Sequence, residues 1–215
     1  MSEMVIILSK VVPHRLFLLT LEPINNNIPA ARVMSEHRSH HLVYGTLNDY
    51  LTGEELTDTD DERIRQDLSR LLVEKRGYQR QDLQPRLFIE TLFTKNFVRS
   101  TIDITVTIEG RQVMIIRYGP GSLVSRERAA LAAARVLNSS YRIPLAVVTN
   151  GRDALLLDSL TGNILKEGMG SILSKQELLT LLPTLTFADP QDQQKQLREK
   201  RILNAFDLER CCIGI

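Results

Sequence analysis

Neither sign of charge dominates this sequence: 27 Lys and Arg against 26 Asp and Glu leave a formal net charge of +1. No global field therefore draws the chain to a polyanion or an anionic membrane, and any nucleic-acid contact must use a local patch. Cysteine is nearly absent. The only two, Cys211 and Cys212, are adjacent, so a mutual disulfide would be strained and would close no useful loop. With no further ligands at zinc-like spacing nearby, they read as reduced thiols and predict a cytoplasmic protein. There is no internal repeat and no low-complexity segment. The one long apolar stretch, residues 4 to 21, is interrupted by Lys10, Pro13, His14 and Arg15, too broken to cross a bilayer. What is present is ordinary for a globular protein, 43% hydrophobic and 25% charged over 215 residues. That excludes collagen, coiled coil and full disorder, and predicts one substantial core with appendages.

Residues 1–43 read as an N-terminal extension outside the fold. Met34 opens a stretch, Met34-Ser35-Glu36-His37-Arg38, that resembles a natural chain start, and mass spectrometry of the native protein beginning at Met1 would contradict that expectation. His37, His40 and His41 lack a carboxylate or Cys at ligand spacing and read as a solvated tail. The folded region declares itself at Thr59-Asp60-Asp61-Glu62, a capping-box pattern. A helix is expected from about Asp60 to Arg76, with Ile64, Leu68, Leu71 and Leu72 as its core stripe and Gly77 ending it. Glu62 and Gln66, nearly opposite that stripe, are expected on the surface.

Three extended segments follow, over residues 87–93, 101–109 and 112–118. In the second, Ile102, Ile104, Val106 and Ile108 alternate with Asp103, Thr105, Thr107 and Glu109, the period of a strand with one buried face. Glu109-Gly110-Arg111 is a turn that makes the last two an antiparallel hairpin. Gly119 to Ser122 cannot continue a strand, and Ser125 is expected to cap an Ala-rich helix from Arg126 to Leu137. Two short strands, 144–149 and 154–158, and two terminal helices, 174–182 and 192–210, complete the order. Strands clustered before a helix and resumed after it predict an α/β fold, a mixed sheet with helices on its faces.

That order, with particular residues, resembles the N-terminal domain of type I restriction enzyme R subunits, a branch of the PD-(D/E)XK nuclease superfamily, and most closely its small stand-alone members. The residues that carry the resemblance are Asp49-Tyr50-Leu51-Thr52-Gly53 leading to Thr59, the helix Glu62-x-x-Arg65-Gln66, Gly77-Tyr78, Ile102-Asp103-Ile104, the loop Tyr118 to Ser122, and Val147-Val148-Thr149-Asn150-Gly151. It covers about Tyr44 to Gly168. No single motif is specific; their order and spacing are. The resemblance implies a restriction-endonuclease-like core over 44–172, a C-terminal helical extension over 173–215, and Mg²⁺-dependent phosphodiester hydrolysis of DNA. In such a site an Asp opens the hairpin, and a Glu and a Lys two apart on the next strand share its face.

Carried over, the Asp is Asp103, the Glu position falls on Ile115 and the Lys position on Arg117. Isoleucine cannot ligate Mg²⁺, and a guanidinium effectively never deprotonates. Glu127, in the first turn of the Ala-rich helix, is the favoured substitute metal ligand beside Asp103; Glu109 lies roughly 20 Å from Asp103 at about 3.3 Å per strand residue. Glu62 matches the family's first-helix acid, with a cap on the surface as the plainer alternative. Ala132 stands where the family often has Gln, while Arg135 can reach a phosphate or pair with an acid. Exposed amides at Gly119 to Ser122, with Ser122, Arg126 and Arg128 beside them, suit phosphate contact, as does the stretch Arg63 to Arg86 with seven Lys and Arg against three Asp and Glu. A solvated face and a tight turn is the alternative. Three functions are therefore expected in competition: a degenerate, DNA-associated relative with cleavage impaired; an active Mg²⁺ endonuclease using Asp103, Glu127 and Arg117; and a module that binds a protein partner or itself through the terminal helix and Phe206.

Overall fold

The computed structural model describes residues 42–212. Its first elements are two strands, β1 (Val43–Asn48) and β2 (Glu55–Thr59), paired antiparallel in a small sheet of their own. The turn between them is built by Asp49, whose Oδ1 accepts the amides of Leu51 and Thr52, both at 2.8 Å. Thr59 then caps α1 (Asp60–Arg70), its hydroxyl accepting the Glu62 amide at 3.2 Å. The capping half of the sequence expectation holds; Glu62 does not reach back to the cap but turns inward. One wider helical turn, Leu71–Lys75, extends α1 before Gly77 ends it at φ +75°, a conformation that side chains with a Cβ resist.

The main sheet follows: β3 (Leu83–Phe93), β4 (Asn96–Ile108), β5 (Arg111–Tyr118), α2 (Val124–Val136), β6 (Leu145–Thr149), β7 (Ala154–Asp158), β8 (Ile164–Glu167), then α3 (Lys175–Leu181) and α4 (Gln193–Cys212). The six strands lie in chain order and every neighbouring pair is antiparallel except β5 and β6, which α2 joins by a crossover. The fold is thus α/β with a mixed sheet, as the order of elements implied. Successive strand residues alternate between two apolar layers. Ile116, Val147 and Leu156 pack with Leu68 and Leu72 from the first helical segment; Ile115, Val148 and Leu157 pack with the alanines of α2 and with Leu203 of α4. One layer therefore covers each face of the sheet.

The Ala-rich helix begins at Val124, with Leu123 at its N-cap and no side-chain cap. Ser125 does not cap it, because its hydroxyl donates instead to the Ser122 carbonyl at 2.9 Å. The terminal helix packs on the main body: Leu203 is fully buried, and the Asn204 amide donates to Thr91 Oγ1 and to the Asn96 carbonyl, both at 3.0 Å.

One irregularity positions the site. Ile102 belongs to the α2–α4 layer and Ile104 to the α1 layer, although residues two apart on a regular strand share a face. Asp103 lies between them. Across the ladder, where Pro85 pairs with Ile104 and Leu87 with Ile102, Arg86 sits at φ +53°. A left-handed non-glycine residue costs about 1–2 kcal/mol, and here it turns the Arg86 side chain toward α1.

Candidate functional site

Asp103 of β4 is 4% exposed and both its oxygens are engaged. Oδ1 accepts Arg65 Nε at 3.0 Å and Nη2 at 2.8 Å; Oδ2 accepts the Tyr118 amide at 2.7 Å. The same guanidinium donates through Nη1 to Glu62 Oε2. Burial works against the charge on Arg65, but the carboxylates of Asp103 and Glu62 outweigh it and hold its proton affinity above the ordinary arginine value. Glu62 Oε1 accepts Gln66 Nε2 at 2.7 Å, and Gln66 spans onward to Asp49 Oδ2 at 3.2 Å while accepting the Tyr50 amide at 2.6 Å. Arg86 closes the far end by donating to Asp49 Oδ2, with Nη1 3.8 Å from Glu62 Oε1. Burial pushes the Asp49 carboxyl up, yet Arg86, the Thr52 and Leu51 amides and Gln66 together lower it to about 2.

Glu62 and Gln66 are thus buried, at 7% and 2% exposure, not on the surface. The turn that carries Asp49, together with Arg86, covers the flank of α1 that the core stripe leaves open. Spacing along α1 could not reveal that cover, because it comes from residues before the helix and after it.

Arg117 goes elsewhere. It is buried on the other face, where Nη2 donates to both oxygens of Asp207 at 2.9 and 3.0 Å and Nη1 to the Ala129 carbonyl at 3.3 Å. The cavity beside it, lined by Tyr118, Arg126, Phe206 and Asp207, measures about 10 Å³, room for no more than a water. Asp103 and Arg117 are not brought together. The β5 residues on the Asp103 side are Ile116, in the α1 layer, and Tyr118, packed against it; β5 holds no acid at all. Glu127 is half-buried in the first turn of α2, on the Arg117 side, outside the network around Asp103.

Arg135, read as either a phosphate contact or the partner of an acid, pairs with an acid, and that acid is buried rather than on the surface. Its Nε donates to the Ser159 carbonyl at 2.7 Å and Nη1 to Glu199 at 2.8 Å, in a pair whose side chains are 10% and 8% exposed. The acid partner lies 64 residues away on α4, beyond reach of local pattern. Ser122 and Arg128 are exposed and Arg126 half-buried, with Arg126 Nη2 donating to the Pro120 carbonyl at 3.3 Å. In the basic stretch, Arg63, Arg65, Arg70 and Arg86 pair with acids and Arg76 donates to the Met169 carbonyl. Most of its charge is answered internally. Phe206 packs against the α2–α4 layer.

A magnesium ion needs several anionic or neutral oxygens converging with free lone pairs. The donor set here does not fit one: Asp103 already accepts three hydrogen bonds, a guanidinium lies between it and Glu62, and the adjacent strand offers isoleucine. Among the described residues no group of three or more His, Cys, Asp or Glu is placed to hold a metal. None of their helices is long and apolar enough to cross a membrane.

A family model described as the type I restriction enzyme R protein N terminus matches residues 60–170, the span from α1 to the turn after β8. No curated protein and no solved structure matches the chain.

Proposed function

Since the chain belongs to the type I restriction enzyme R protein N-terminal family, we propose that it is a non-cleaving member that keeps the family's scaffold and contacts DNA through phosphates. The observation that carries this reading is the state of Asp103, whose carboxylate is tied by Arg65 and the Tyr118 amide while the neighbouring strand supplies neither an acid nor a lysine on the same side. Hydrolysis in a PD-(D/E)XK site requires a carboxylate pair to hold a metal-bound water. Such a pair does not form here. The exposed Arg128 and Ser122 at the start of α2, with the half-buried Arg126 beside them, are the groups assigned to phosphate contact, which positions a protein on a duplex without reading its sequence.

The test is a fluorescence-anisotropy titration of a labelled duplex in Mg²⁺. Expected are weak binding indifferent to sequence, a fall in affinity with rising salt, further loss when Arg126 and Arg128 are changed to Glu, and intact strands on a denaturing gel. Binding that ignores salt and both arginines would refute the interface, and cut strands would refute the loss of cleavage.

A second reading, a protein-interaction module, is favoured by one feature. Phe88, Leu92 and Phe97 on the outer face of the β3–β4 hairpin are 50%, 65% and 59% exposed. On this reading the partner contact lies on the hairpin and not on Phe206. Cross-linking lost in Phe97→Ser and retained in Phe206→Ala is the result it predicts.

A further inference from the structure

We infer that the open face of the β3–β4 hairpin is a self-association surface, on which the hairpin of a second copy of this chain packs with Glu90 of each copy against Arg99 of the other. The inference rests on the second reading above, the protein-interaction module, and deepens it by naming the partner. β5 pairs with β4 only over residues 104–108, so residues 87–93 and 96–102 form a two-stranded ribbon that reaches past the neighbouring strand. Such a ribbon is marginal unless its faces are packed. One face is packed: Ile89, Thr91, Val98 and Ser100 are buried, and Asn204 of α4 donates to Thr91 and Asn96. The other is open among the described residues, with the exposed Phe88, Leu92 and Phe97 on it.

The pattern of that open face selects its occupant. Its cross-strand pairs are Phe88 with Thr101, Glu90 with Arg99, and Leu92 with Phe97. The middle row thus holds one charge of each sign, and the rows on either side are uncharged. Arg99 Nη2 donates to Glu90 Oε1 at 2.7 Å and its guanidinium lies 4.4 Å from the centre of the Phe88 ring, so both charges are held in place. A face with a carboxylate at its middle and no net charge suits neither a phosphate backbone nor an anionic bilayer. It does suit a copy of itself. A two-fold axis in the interface, parallel to the strands and midway between them, lays β3 of each copy over β4 of the other. Glu90 then meets Arg99, Leu92 meets Phe97 and Phe88 meets Thr101, each row at its own level. An axis across the strands would instead set Glu90 on Glu90 and Arg99 on Arg99, so charge fixes the orientation. The three rows span roughly 14 Å along the strands. A face that short covers less than the ~800 Å² per partner of a standard interface, and the association is correspondingly weak.

The experiment is analytical ultracentrifugation of the purified full chain from about 1 µM to about 300 µM, the range in which a small interface associates. It compares the wild type, Leu92→Asp, Glu90→Arg, Arg99→Glu and an equimolar mixture of the last two. The wild type should pass from one chain to two as concentration rises. Each single variant should associate at least tenfold more weakly, because Leu92→Asp puts an unpaired charge into the contact and the other two set like charges face to face. Mixing Glu90→Arg with Arg99→Glu should bring the dimer back, since every arginine of one then meets a glutamate of the other. That recovery also separates a broken interface from a damaged fold. A wild type that stays monomeric at the highest concentration, a dimer that survives all three substitutions, or a mixture that remains monomeric overturns the inference. If the wild type is monomeric while cross-linking to a different protein is lost in Phe97→Ser, the interaction module stands and only the second copy as its partner falls.

Discussion

Asp49 is nearly inaccessible, yet it carries a charge that four donors hold in place, and the consequence is a dependence of stability on pH. Its carboxyl titrates near 2 in the folded protein, against an ordinary 3.8. A depressed folded-state value contributes stability in full above the unfolded value and loses it as pH falls toward the folded one, so the loss belongs between about pH 4 and pH 2. The shift corresponds to about 2 kcal/mol. Urea unfolding of the wild type and Asp49→Asn should show the gap between them narrowing by that amount across the window. Glu177, also lowered to about 2 by the Ser174 amide and hydroxyl, is common to both proteins and cancels. At this scale the sequence was legible at the cap, where Thr59 accepts the Glu62 amide as expected. It was silent on Arg86, whose part depends on a left-handed backbone opposite Asp103, and on Arg135, whose acid arrives from α4.

Among the elements, α4 holds the α2 side of the sheet together and Arg117 is its anchor. Two hydrogen bonds from one guanidinium nitrogen to Asp207, with side chains 5% and 8% exposed, join the middle of the molecule to its last helix. Removing Asp207 leaves the buried Arg117 guanidinium without its carboxylate, at a cost of about 3–5 kcal/mol. Replacing both, as in Arg117→Met/Asp207→Leu, should restore most of it, with chemical denaturation as the measure. Leu203→Ala should cost about 2–5 kcal/mol by the cavity it opens. Strong periodicity made β4, β5 and α1 readable within a few residues of their true ends. The β1–β2 hairpin escaped because most of its β1 side chains are exposed, so neither helical nor strand periodicity marks it. The face switch at Asp103 escaped for another reason: the alternation of Ile102, Ile104 and Val106 continues unbroken through it, and only packing from both sides shows that Ile102 and Ile104 enter different layers. The family pattern, carried over, placed Ile115 and Arg117 beside Asp103, whereas Ile116 and Tyr118 occupy that side.

For the molecule as a whole, a family scaffold is combined with a site whose charges are closed upon themselves: three buried carboxylates, two guanidiniums and a glutamine, with no acid on β5. The near-neutral net charge leaves no strong global field toward a polyanion. The order of elements and the residues of the family pattern were enough to predict the α/β class and the family. The inward turn of Glu62 and the pairing of Arg65 were not, since each depends on contacts between segments far apart in the chain. The most direct measurement of the central claim is conversion of supercoiled plasmid to nicked circles over time in Mg²⁺ and in Mn²⁺, by the wild type beside Asp103→Asn. If cleavage is lost, both proteins leave the plasmid as supercoiled as a protein-free control. Nicking by the wild type that disappears in Asp103→Asn would contradict the claim.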